Sequence, residues 1–268
     1  MLTTTAVSRR PLQHGFTLTG LMVGSVVGMI VISAAITVYL TTVATNAGVL
    51  REIKLNQEVR TIMSIMVSDL RRAGYWDGAT GGTLNNPFTI RDTATPANDT
   101  DVTIHNNGTC ILYTYDATYQ GTNNAGSADA TGDPGTDYFG FRLSGSDIQM
   151  RSGGTNTSDC TDGNWETLND DNTISIDTLT FSTEGSQCLN PADDDRVWQL
   201  ADGATVAPCA CTDTTVCTNY AAPDSGDLLV GMRRITITIE ASHISDPTAT
   251  VEYSQRVKVR NDRIVQEP

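Results

Sequence analysis

GFTLTGLMV, from Gly15 to Val23, stands between a short leader holding Arg9, Arg10 and His14 and a run without one charged residue that extends to Leu50. The order of these parts decides what the segment is. A secretory signal places its small-residue cleavage site after the apolar stretch, which is then discarded. Here the glycine stands before it, so a cut after Gly15 would leave the hydrophobic helix on the product as a membrane anchor.

From Phe16 to Ala44 the chain stays apolar for longer than the roughly 20 residues that a helix needs to cross a bilayer. Basic residues before the span and an acidic bulk after it predict a single pass, with Arg9 and Arg10 on the cytoplasmic side and the C-terminal part exported. Within the span, Gly20, Gly24 and Gly28 recur every fourth residue. That spacing puts three small residues on one face, where a second helix backbone can approach closely. Glycine is also simply frequent in membrane helices, and both readings stay open.

Beyond the span the pattern becomes amphipathic. Leu55, Val59, Ile62, Met66, Leu70 and Ala73 follow steps of three or four, and Arg51, Lys54, Glu58, Arg60 and Asp69 are assigned to the opposite face. No proline interrupts from Phe16 to Gly74. One helix from Phe16 to Ala73 is predicted, about 87 Å long at 1.5 Å per residue, with Gly74 as its cap. The stripe is too short to favour a coiled coil.

Downstream the period changes from helical to alternating. Ile111, Tyr113 and Tyr115 mark one strand; Phe139, Phe141 and Leu143 lead through Ser144-Gly145-Ser146 into Ile148 and Met150, a hairpin. Ile174, Ile176, Leu179 and Phe181 mark another strand. Ile235, Ile237 and Ile239 and then Val251, Tyr253, Val257 and Val259 form the last pair. An antiparallel sheet packed on the amphipathic half of the helix buries both apolar faces, and neither element can do so alone. The polar stretches Asp77–Gly108 and Glu184–Gly226 are expected to be irregular surface excursions. The expected fold class is therefore α+β. The chain divides into a leader (1–15), a membrane-spanning helix half (16–44), an amphipathic helix half (45–75) and an exported β-rich head (76–268).

Of 268 residues, 17 are Lys or Arg and 31 are Asp or Glu, a formal charge of −14; loss of residues 1–15 removes Arg9 and Arg10 and no acid, which makes it −16. Such acidity opposes direct binding of nucleic acid through phosphate contacts. All six cysteines, Cys110, Cys160, Cys188, Cys209, Cys211 and Cys217, follow the helix. An even count in an exported segment predicts three disulfides that staple the polar loops, with the connectivity open. Cys209 and Cys211 are too close in an extended chain to pair comfortably, so different partners are expected for them. A metal cluster at Cys209, Cys211 and Cys217 is the competing reading, weakened by the distance to His105 and His243 and by the lack of a Cys-x-x-Cys pair.

At Gly15–Val23 the sequence resembles the class III signal of type IV prepilins, with Gly15 last in the leader and Phe16 as the new N-terminus. The resemblance implies cleavage between Gly15 and Phe16 by an inner-membrane prepilin peptidase, and methylation of the Phe16 amino group. It departs at Gly20, where that family usually carries glutamate. DLRRAGYWDG at Asp69–Gly78 and VKVRN at Val257–Asn261 are similar to the PilW family of minor pilins. That likeness implies a type IV pilin-like fold and a structural subunit that initiates or caps a pilus with other minor pilins at its tip, in support of adhesion, twitching motility or DNA uptake. It implies as partners other minor pilins, the major pilin, the prepilin peptidase, the inner-membrane assembly platform and a tip adhesin. The subunit would sit in the inner membrane with its head periplasmic, then on the pilus. The minor pseudopilin GspJ of type II secretion is a second resemblance, and a tip adhesin that binds a surface ligand is a third reading. Without a carboxylate, Gly20 cannot neutralise a neighbour's N-terminal amine in lipid, where an unpaired charge is costly. A tip position and simple drift in a rare subunit both accommodate it.

No Gly-x-Ser-x-Gly elbow, phosphate-binding glycine loop or His-Glu-x-x-His helix is present, so no catalytic residue and no cofactor is assigned. Asp193, Asp194, Asp195 and Asp202 lack the alternation and turn glycine of a calcium loop, and no metal site is assigned to them. Tyr75 and Trp76 are expected to pack the helix end onto the sheet and Trp165 to lie in a short strand; Trp198 is left as the aromatic for surface contact.

Overall fold

The computed structural model describes Gly15, residues 17–76, 86–90, 99–117, 137–191, 196–199 and 226–266, with the backbone alone at 196–199 and 265–266. It comprises two units, one up to Leu50 and one from Arg51 onward.

A single helix, α1, runs over Leu18–Leu70, within three residues of the predicted ends. In the second unit every residue of the predicted stripe is buried: Leu55, Val59, Ile62, Met66 and Leu70, then Ala73 in the turn that follows. Met63 and Val67 widen the stripe. Each such aliphatic side chain contributes about 1.5–3 kcal/mol when withdrawn from water. Asp69 is a correction. It lies on the buried side at 7% exposure, where the progression Ile62, Met66, Asp69, Ala73 puts it, and not on the solvent face.

The head holds twelve described strands in three sheets, with every pair antiparallel. The first sheet orders β1 (Thr103–His105), β2 (Cys110–Thr114), β3 (Tyr138–Ser144), β4 (Asp147–Ser152) and β5 (Asn164–Thr167) side by side. Its hairpin turns at Gly145-Ser146, with Gly145 at φ +64°, a conformation glycine adopts without penalty. The second sheet has the order β11 (Asp246–Lys258), β10 (Arg234–His243), β6 (Ile174–Ser182). Ile235 faces Val257 and Ile239 faces Tyr253, which bears out the terminal pair.

β6 shows how an uneven sequence spacing is absorbed. Ile176 and Leu179 are three apart, which breaks strict alternation, yet both are buried. Ala241 pairs with Ile176 and Glu240 with Thr178, so Asp177 is the extra residue of a bulge that restores the inward phase. The Asp177 carboxylate accepts a hydrogen bond from Ser242 at 3.1 Å.

One sheet was expected; three are present. The first two share a core with α1, built from Ile111, Tyr113 and Phe141 on one side and Leu179, Ile237 and Ile239 on the other. Alternation identifies the inward residues but carries no information about which strand edges meet. The third sheet, β12 (Arg263–Gln266), β9 (Leu228–Met232), β7 (Gln187–Asn190) and β8 (Arg196–Gln199), corrects the second excursion, whose start is paired strand. The first excursion likewise contains β1 and a 3-10 turn at Pro87–Thr89. Strands of three to five residues are too short to show a period against a polar background.

Cys110 and Cys160 form a disulfide across 50 residues of chain, packed with Leu112 and the half-buried Trp165 of β5. Cys188 is disulfide-bonded as well. Cys209, Cys211 and Cys217 lie outside the described residues, as do Asp193, Asp194, Asp195, Asp202 and the side chain of Trp198.

Candidate functional site

In the first unit the large apolar side chains of the helix are exposed. Leu18, Met22, Met29, Ile30 and Leu40 are each at least 59% exposed. The segment is long and apolar enough to cross a membrane, and its polar groups fit such a setting. Ser25 donates to the Met22 carbonyl at 2.8 Å, Ser33 to Met29 at 2.7 Å, Thr37 to Ser33 at 2.9 Å and Thr45 to Thr41 at 2.9 Å. Each hydroxyl is satisfied by its own helix, so none needs water.

Beyond the local helix backbone, Gly24 and Gly28 have no atom within 4 Å of where a Cβ would stand, which leaves room on that face for a second backbone. Gly20 is in the first turn. Its N–H donates to Thr17 Oγ1 at 3.2 Å and Leu21 N–H to the Thr17 carbonyl at 3.1 Å, which makes Thr17 the N-cap. Gly15 is exposed and outside any regular element; the rest of the leader and Phe16 lie outside the described residues.

In the second unit the notable polar constellation is where α1 ends. Asp69, buried, accepts hydrogen bonds from both Tyr113, through its other oxygen, and Tyr115 at 2.9 Å. Arg72 stands 3.5 Å from the same carboxylate and 4.2 Å above the Tyr115 ring. Burial, and next the Asp69 charge, push the Tyr113 hydroxyl well above its ordinary titration range; the same two causes raise Tyr115. Phe139 stacks on Tyr115 with centroids 4.1 Å apart.

After Leu70 the chain turns, and Gly74 at φ +70° donates its N–H to the Thr114 carbonyl at 2.7 Å. The helix-end carbonyls, which lack intrahelical donors, are taken up by the C-terminal segment. Arg260 N–H donates to Arg71 O at 3.2 Å, and Asn261 Nδ2 to Arg72 O at 3.3 Å and Ala73 O at 3.1 Å. Arg233 Nη2 in turn donates to Asn261 O at 2.7 Å and its Nη1 pairs with buried Asp101, whose other oxygen meets Arg263 at 3.1 Å. The segments that begin at Asp69 and at Val257, nearly two hundred residues apart, thus close one joint. Most of its donors and acceptors are spent on one another, although Arg233 Nε and Arg263 Nε are buried without a hydrogen-bond partner among the described residues, and its chemistry is mechanical: it fixes the end of α1 to strands of different sheets.

Reasoning from sequence missed this joint, although the placement of Asp69 on the apolar stripe was a readable signal. Tyr75 departs from expectation too. Its ring is 46% exposed, because Gly74 turns the chain away from the core, while Trp76 is half-buried. His105 donates to Thr157 O at 2.7 Å and His243 bonds Ser245. Among the described residues no three His, Cys, Asp or Glu side chains gather as a metal site would require.

A helix long and apolar enough to cross a membrane, whose lower part packs on antiparallel sheets, defines the class, a pilin-like α+β protein. The family model of prepilin peptidase-dependent protein B matches residues 48–259, and the chain belongs to that pilus-related family. No curated protein and no solved structure matches it. The matched span begins beyond the leader, so membership rests on the lower helix and head and is independent of the motif at Gly15.

Proposed function

We propose that this chain is a minor pilin of the PilW kind, a non-enzymatic structural subunit that primes type IV pilus assembly. The leader is removed between Gly15 and Phe16, the Phe16 amine is methylated, and the helix holds the subunit in the inner membrane with its head periplasmic. Assembly then draws that helix among those of other minor pilins through the Gly20, Gly24 and Gly28 face. The observation that carries this reading is the helix from Leu18 to Leu50, long and apolar enough to cross a membrane and with its large apolar side chains exposed, in a chain of a prepilin peptidase-dependent family. Gly20, with its N–H capped by Thr17 and no carboxylate to offer, favours a subunit that need not receive another ahead of it, at the tip.

The test is piliation. Gly24→Leu and Gly28→Leu should lower filament number at least severalfold while export and head folding stay normal, because the bulky side chain separates the backbones. Immunogold should place the wild-type subunit at filament ends. Normal piliation in both variants removes the packing face, and labelling along the shafts removes the tip position.

A further inference from the structure

The long strand β11 closes the second sheet and, among the described residues, pairs with β10 alone, so its other edge offers unpaired backbone N–H and C=O groups. Beside it runs a groove of about 480 Å³ lined by Arg60, Ser64, Val67 and Ser68 from α1, Arg71 just past its end, and Tyr253 and Gln255 from β11. Tyr253 and Gln255 lie opposite Ile239 and Ile237, on the face of the sheet that α1 covers. Arg60 stands 5.5 Å over the Tyr253 ring, and neither Arg60 nor Arg71 has a carboxylate partner among the described residues. In a chain of net charge −14, the stretch from Arg60 to Arg72, the end of α1 and the turn after it, carries arginines and no exposed acid, since Asp69 is buried.

From these features we infer that the groove binds an extended acidic segment of another protein subunit, which adds as a strand to the edge of β11. Backbone pairing supplies affinity in strand addition, and side chains at alternate positions supply specificity. The dimensions agree. Arg60 and Arg71, the latter one residue past α1, are about 16 Å apart at 1.5 Å per residue, within side-chain reach of the roughly 14 Å between strand residues four apart at about 3.4 Å each. Carboxylates four residues apart in that strand point the same way and reach both guanidinium groups, whose forked donors suit them. Open edges invite promiscuous pairing; two unpaired arginines beside this one select an acidic partner over a neutral or basic one.

The proposal uses residues distinct from the glycine face and the leader, so it can fail while the assembly reading holds. The probe is a six-residue peptide of alternating threonine and glutamate, with a lysine-for-glutamate version as control, added to the full chain in detergent at low salt. Fluorescence anisotropy should show the glutamate peptide binding at least tenfold more tightly than the lysine peptide. Arg60→Glu with Arg71→Glu should erase that preference, and Arg60→Gln alone should weaken it, with unchanged circular dichroism. Hydrogen exchange should slow in residues 248–258 when the peptide is bound. Equal binding of the two peptides, protection elsewhere, or a charge-reversed protein that binds as the wild type does would overturn the inference. So would self-association of the chain that the same substitutions abolish, since a second copy would then occupy the edge.

Discussion

Asp69 is a buried carboxylate that the head must satisfy. A carboxylate withdrawn from water is tolerated only when donors surround it, and here two tyrosine hydroxyls and Arg72 do so. Burial first, and next the Asp69 charge, raise Tyr113 and Tyr115; burial, then Asp137, raises Tyr138. An acid whose folded-state pKa is raised keeps its full contribution to stability below its unfolded pKa, here 10.0, and loses it as pH rises toward the folded value. Alkaline titration followed at 295 nm should therefore show three of the eight tyrosines ionising only as near-ultraviolet dichroism collapses, well above pH 10. Asp69→Asn removes the charge and should lower the pH of that step. Smooth ionisation of all tyrosines near pH 10 in folded protein would contradict the buried arrangement.

Among the elements, the turn that ends α1 and the disulfide that ties β2 to the loop before β5 are most open to test. Gly74 sits at φ +70°, and a Cβ there would stand 3.0 Å from both Arg233 Nη2 and Thr89 Cγ2. The left-handed conformation alone costs a residue with a side chain about 1–2 kcal/mol, so Gly74→Ala should lower stability by at least that in urea unfolding of the detergent-solubilised protein. Cys110→Ser with Cys160→Ser should cost about 2–4 kcal/mol, because a cross-link over a long loop restricts the unfolded chain. Both effects should appear as a lower midpoint with the helix retained. α1 and the strands at Ile111, Phe139, Ile174, Ile235 and Val251 were legible in the sequence because each carries several apolar residues in phase. β1, β7, β8, β9 and β12 were not, since three to five residues in polar surroundings carry no period. The joint at Asn261 was hidden for another reason. Helix-end carbonyls must find donors, but nothing in a linear sequence says that Arg260 and Asn261 supply them.

For the molecule as a whole, two separate signals converge: the GFTLTGLMV motif at its start and a head that belongs to a prepilin peptidase-dependent family over residues 48–259. The motif is read from local order, glycine before the apolar run, and an intact-mass measurement tests the cleavage it implies. The groove beside β11 was not legible in the sequence, since it arises only when α1 and the C-terminal hairpin are packed together. The central claim is that the chain becomes a pilus subunit by cleavage between Gly15 and Phe16. The measurement that tests it most directly is the intact mass of the protein extracted from membranes of cells with and without active prepilin peptidase. With peptidase, the account predicts one species that begins at Phe16 and is heavier by a methyl group; without it, the full-length chain. A full-length chain that persists beside active peptidase, or a mature form that begins at another residue, would contradict it.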